Sequence, residues 1–76
     1  MEGELQRRVG ANLRRIRKAR GLSQEKFAEM IGVHRTYWGG IERGERNLTL
    51  RSLERIATWL DEDPVRLMRP LPRKRR

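Results

Sequence analysis

Arginine supplies most of the side chains in this sequence that could do chemistry. There is one histidine and no cysteine. No thiolate can act as nucleophile or metal ligand, and His34 has no second imidazole with which to share a metal. The ten acidic residues show no pairing suited to acid–base work, so an enzyme is not expected. Asp61-Glu62-Asp63 reads as turn and capping chemistry rather than a cation site. The informative stretch is HRTYWGGIERGER, His34 to Arg46, in which Arg35, Arg43 and Arg46 surround Tyr37, Trp38 and two adjacent glycines. A guanidinium is always charged and presents a planar fork of donors that fits phosphate oxygens or the O6 and N7 of guanine.

The whole chain carries that bias. Lys and Arg number 19 against 10 Asp and Glu, a net charge of +9 over 76 residues, and the sequence pI is near 11.5. The closing RKRR supplies part of the excess, but the rest of the chain is basic without it. Such a balance favours a polyanion: DNA, RNA or an anionic membrane. The alternative is a merely solubilising surface. No apolar run approaches the roughly 20 residues of a membrane span. The opening MEGELQRR lacks a signal-peptide core. The expectation is a soluble, cytoplasmic, nucleoid-associated protein that needs no cofactor and no metal.

Apolar residues recur at helical spacing, with no strand-like alternation. Leu5, Val9, Leu13 and Ile16 form one stripe, closed by Gly21. Ser23 can cap a second helix with Phe27, Ala28 and Ile31 inward and Gly32 at its end. A third helix is expected from Arg35 to Arg43, stopped by Gly44, with His34 as its cap or a surface residue. Thr49 can cap a fourth, with stripe Leu50, Leu53, Ile56, Ala57 and Leu60. Asp63-Pro64 opens a short fifth helix through Met68. The predicted fold is all-α, with five short helices in a domain at 1–69 and a flexible basic tail at 70–76. Two helices joined through Gly32 by a few residues make a helix-turn-helix, whose second helix leaves one face free for a DNA major groove. The two glycines at 39 and 40 are the anomaly, since each costs a helix interior about 1 kcal/mol relative to Ala.

LRRIRKARGLSQEKFAEMIGVHRTYWGGIERGERNLTLRSLERIA resembles the compact lambda-repressor-like regulators, the xenobiotic-response-element family, over about Val9 to Met68. RGLSQ, the A…IGV turn and IERGER followed by a capped apolar helix occur in order. Within that family, RTY…GIERGERNLTL is most similar to the small controller proteins of restriction–modification systems. The resemblance implies roles by position. Arg35, Thr36, Tyr37, Gly40 and Arg46 would face the bases, with guanine the natural target of Arg35. Tyr37 could instead cover the core edge. Gln24, at the start of the second helix, and Arg43 and Asn47 would hold phosphates. Arg17 and Glu42 match a buried ion pair between the first and third helices. Gly40 would give up a base contact in exchange for close approach of the helix to DNA. Trp38 departs from the usual Ile or Leu, Asp61 stands where Gly is frequent, Glu62 where an apolar residue is, and Leu48 where Pro is.

The resemblance further implies a regulator of transcription that binds double-stranded DNA as a homodimer on a palindromic operator, an autoregulatory controller-like repressor or activator with RNA polymerase as a candidate contact. Trp59, Val65, Leu67 and Met68 are the expected dimer surface, with Trp59 alternatively a core-edge residue. No small-molecule ligand is expected. The RKRR tail should add salt-dependent affinity without sequence preference. Three rivals stand beside this reading: an antitoxin built on the same fold, a protein-bridging adaptor, and a nonspecific nucleic-acid binder.

Overall fold

Four of the five helices begin where a side chain accepts a backbone N–H that the first turn leaves without a partner. Ser23 Oγ accepts from Lys26 at 3.0 Å, His34 Nδ1 from Thr36 at 3.1 Å, Thr49 Oγ1 from Ser52 at 2.9 Å, and Asp63 Oδ1 from Val65 at 2.9 Å. A computed structural model of the chain, describing residues 3–71, accordingly places α1 at Glu4–Ala19, α2 at Gln24–Ile31, α3 at Arg35–Glu42, α4 at Leu50–Leu60 and α5 at Pro64–Leu67. No strand occurs among the described residues. The RKRR end, with Pro72 before it, lies outside them.

Helices α2 and α4 end in the same way. After α2, Gly32 takes the left-handed conformation at φ 81°. The Val33 N–H then returns to the Ala28 carbonyl at 2.9 Å, the doubled closure of a Schellman motif. After α4 the same motif is built on Asp61 at φ 58°, with Glu62 N–H on the Ala57 carbonyl at 2.8 Å. The frequent glycine is therefore dispensable there, because a short polar side chain tolerates that conformation.

The core gathers Leu13, Phe27, Trp38, Leu60 and Leu67, all fully or almost fully buried, with Val9, Ile41, Leu53, Ile56 and Ala57 around them. Helix α1 packs on α3 and α5, α2 on α3, and α4 on α5. Helices α1 and α3 approach each other tightly at Gly10. A Cβ there would sit 2.3 Å from the Ile41 carbonyl oxygen and 2.6 Å from that of Glu42, so only a residue without a side chain fits.

Three expectations are corrected. Leu5 and Leu50 lie outside the core at 55% and 80% exposure, because each sits in the first turn of its helix, where the stripe runs past its neighbours. Leu67, expected on a dimer surface, is 2% exposed and belongs to the core of the protomer. The reason is Asn12, a buried side chain whose amide donates to the carbonyls of Leu67 at 2.9 Å, Arg69 at 2.8 Å and Arg8 at 3.0 Å. It satisfies the open carbonyl end of α5 and ties that single turn against α1, which turns Leu67 inward.

Candidate nucleic-acid interface

Helix α3 is gripped from inside by a carboxylate. Glu42 accepts from Arg17 Nε at 2.6 Å and Arg17 Nη2 at 3.1 Å, from Gln24 Nε2 at 2.9 Å and from Trp38 Nε1 at 2.6 Å. Arg17 spends a further donor on the Leu22 carbonyl at 2.7 Å. One side chain thus links α1, the start of α2 and the middle of α3. Burial alone would push the Glu42 carboxyl up. The bonds from Arg17, Gln24 and Trp38, together with the Arg17 charge, outweigh it and hold the group below its ordinary 4.5. No buried side-chain N or O among the described residues lacks a partner, which is the condition for a buried polar cluster to stabilise rather than weaken a fold.

Trp38 explains its own departure from the usual Ile or Leu. It is fully buried, packs against Phe27 with ring centroids 4.8 Å apart, and its N–H finds an acceptor one turn on at Glu42. The i, i+4 spacing of Trp38 and Glu42 was visible in the sequence, but the direction of the indole was not. Gln24 carries a second surprise. Expected to point outward at a phosphate, its amide is turned inward to Glu42, which leaves one N–H and the oxygen free.

The outer side of α3 presents Arg35 and Thr36 exposed and Tyr37 half-buried. Arg35 lies 4.0 Å from Glu25 on the first turn of α2, and Arg43 3.1 Å from Glu45, with all four side chains mostly in water. Asn47 accepts from Gln6 of α1. The Arg46 guanidinium lies over the Tyr37 ring, 5.4 Å from its centroid. Gly39 and Gly40 are both buried, a correction to the bare, outward Gly40 expected from the sequence. Their cover is arginine. A Cβ at Gly39 would meet Arg43 Nη1 at 3.1 Å, and one at Gly40 would meet Arg46 Nε at 3.0 Å.

Arg35, Thr36, Gly40, Arg43 and Arg46 therefore share one side of α3 and the turn that follows it, with Gln24 at one edge and Tyr37, which also packs against the core, at another. Trp59 and Val65 lie elsewhere. Trp59 is 40% exposed and meets Phe27 edge-on at 5.4 Å. No group of three or more His, Asp or Glu among the described residues is placed to hold a metal, and no helix among them is long and apolar enough to cross a membrane.

Residues 13–67 match the helix-turn-helix family, which takes in the whole of α2, the turn and α3. The chain belongs to that family. As a helix-turn-helix protein it is a DNA-binding transcriptional regulator similar to restriction–modification controllers. It is 43% identical over 60 residues to the control protein C.SmaI of Serratia marcescens, covering 79% of this chain and 71% of that one. It is 46% identical over 54 residues to the control protein C.MunI of a Mycoplasma species, covering 70% and 73%. Among solved structures, the restriction-modification controller protein C.AhdI from Aeromonas hydrophila superposes with a TM-score of 0.71 at 45% identity, over 82% of this chain and 94% of that one.

Proposed function

We propose that this helix-turn-helix protein reads a palindromic operator in double-stranded DNA as a homodimer and controls transcription by occupying it. The observation that carries the reading is the outer side of α3. Arg35 and Thr36 stand exposed directly after the tight turn, with Arg43 and Arg46 on the same side. The described residues nearest its two glycines are Arg43, Arg46 and Gln24. Arg35 is suited to guanine and Thr36 to a thymine methyl or a phosphate. Arg43, Asn47 and the free half of the Gln24 amide are suited to the DNA backbone. The RKRR end adds counterion release.

One α3 reaches only a few base pairs, so a second copy is needed for a unique site. With Leu67 in the core, the dimer contact moves to the apolar patch around Leu5, Leu48, Leu50 and Met68. Leu50 projects beside a shallow groove lined by Val9, Leu53 and Met68. A knob beside a hole on one surface is what a two-fold contact requires. The patch also adjoins Asn47 in sequence, which favours a partner seated next to the proposed DNA-facing side. Control of a neighbouring restriction–modification system, with repression or activation set by where the site lies relative to polymerase, follows from the likeness to the controllers.

The test is selection from random double-stranded DNA at about 150 mM salt, with sedimentation of the free protein. A two-fold symmetric motif with half-sites about one helical turn apart supports the reading. Binding that persists only at low salt with no enriched sequence would refute it.

A further inference from the structure

We infer that Gly40 and Tyr37 are positioning residues for Arg46: together they form a slot on the outer face of α3 that fixes its guanidinium and so sets the base that Arg46 reads. The inference rests on the DNA-reading proposal above and goes beyond it. The slot comes from the way α3 ends. The Gly40 carbonyl accepts the Glu45 N–H at 2.9 Å while Gly44 holds a left-handed φ of 76°. That closure reverses the chain and brings residue 46 back across the helix it has just left.

Arg46 then lies on bare backbone. A Cβ at Gly40 would be 3.0 Å from its Nε and 3.1 Å from its Cγ, closer than ordinary van der Waals contact. On the other side its guanidinium carbon is 5.4 Å from the Tyr37 centroid, inside the range of a cation–π contact. Tyr37 and Gly40 are three residues apart on α3 and therefore neighbours on its surface. The ring is one wall of the slot and the missing side chain is the other. Gly39 does the same for Arg43, whose Nη1 would lie 3.1 Å from a Cβ there. The double glycine thus gives two arginines room to lie along the helix. A long side chain held before binding loses less rotamer freedom when it binds. Lysine has no planar group to stack in this way.

The experiment is a double-mutant cycle on the full chain, using the operator obtained by selection. Gly40→Ala and Arg46→Ala should each weaken operator binding by about 5- to 100-fold, the worth of one bidentate base contact. Nonspecific affinity should be unchanged for Gly40→Ala. The double variant should bind no worse than Arg46→Ala, and selection with either single variant should relax the same position in each half-site. Tyr37→Phe should keep the contact and Tyr37→Leu should lose it. A Gly40→Ala loss that persists in the Arg46→Ala background would mean the glycine serves direct approach of backbone to DNA, and would overturn the slot. Undiminished operator binding by Gly40→Ala or by Arg46→Lys would overturn it too. The slot also has a signature without DNA: Tyr37 ring-current shifts on the Arg46 side-chain protons, present in the wild type and lost in Gly40→Ala. Their absence from the wild type overturns the slot. Failure to select any operator, with those shifts intact, overturns the DNA reading instead.

Discussion

The two sides of α3 use the same chemistry, arginine against carboxylate, to opposite ends. Inside, Arg17 and Glu42 are nearly dehydrated and bonded at 2.6 Å, and no buried side-chain N or O among the described residues is left without a partner. Outside, Arg35–Glu25 and Arg43–Glu45 sit at 4.0 and 3.1 Å with their side chains mostly in water. An exposed pair contributes about 0–1 kcal/mol, little enough for an arginine to exchange its carboxylate for a phosphate. A buried pair need not add net stability, but losing half of it leaves a charge out of water with no partner. The inner pair therefore fixes where α3 lies, and the outer ones leave its arginines free to change partners.

The most direct way to break that comparison is Glu42→Leu. It strands Arg17 and removes the acceptor of Gln24 and Trp38. The expected loss is about 3–5 kcal/mol, close to the whole stability a core of this size supplies, so urea denaturation followed by circular dichroism should find the variant largely unfolded at 25 °C. Combining it with Arg17→Met should restore most of the loss but not all, because the Trp38 and Gln24 donors stay unmatched. A single variant within about 1 kcal/mol of the parent would mean that inner and outer pairs are alike after all.

Gly10→Ala comes next. Helix propensity favours alanine by about 1 kcal/mol, but its methyl would meet two backbone oxygens of α3, which cannot move without shifting the helix. Overpacking of that kind costs about 1–3 kcal/mol, and a lower midpoint of thermal unfolding is expected. At Gly40 the obstacle is an arginine side chain. It can move, so Gly40→Ala should hold or raise the midpoint. Equal shifts in the two variants would remove the distinction between backbone and side chain as the neighbour that matters.

Gly10 also marks where the sequence stops being legible. Ser23, His34, Thr49 and Asp63 could be read as caps, and Gly32 as a stop, because those signals lie within one turn of what they act on. The Arg17–Glu42 pair was legible only through the resemblance. Gly10, Asn12 and the inward turn of Gln24 act on partners distant in sequence, and a spacing of that kind leaves no period. Leu67 was misplaced for the same reason: a four-residue helix has no stripe to read, and Asn12 decides which way it faces. The expectation for Arg35, Arg43 and Arg46 came from their positions; that Arg43 and Arg46 lie over the two glycines depends on the turn at Gly44 and could not be read from spacing.

A smaller effect is expected on acidification. The folded protein holds the Glu42 carboxyl below 4.5, its ordinary value, so it contributes stability that is complete above that value. The contribution is lost as pH falls through the lower, folded value. Stability should therefore decline with acid below about pH 4.5, and Glu42→Gln, if it folds, should flatten that part of the curve in urea titrations run at stepped pH. An unchanged acid limb in Glu42→Gln would place the responsible carboxylate elsewhere.

The smallest effect on stability should come from the residue to which we assign the guanine contact. Arg35→Ala removes an exposed side chain whose ion-pair partner, Glu25, is 4.0 Å away. Away from the core such a change stays within about 0.5 kcal/mol, and the melting curve should overlay the parent's. Operator affinity should nonetheless fall by about 1–3 kcal/mol, the loss confined to one base pair of each half-site. Had Arg35 been a phosphate contact, the loss would be spread over all sequences and the salt slope would drop by about one unit instead. Measuring affinity for the operator and for a scrambled duplex at two salt concentrations separates the two. If the variant instead melts early, the outer side of α3 is as much a part of the fold's support as the inner, and the division of labour between them does not hold.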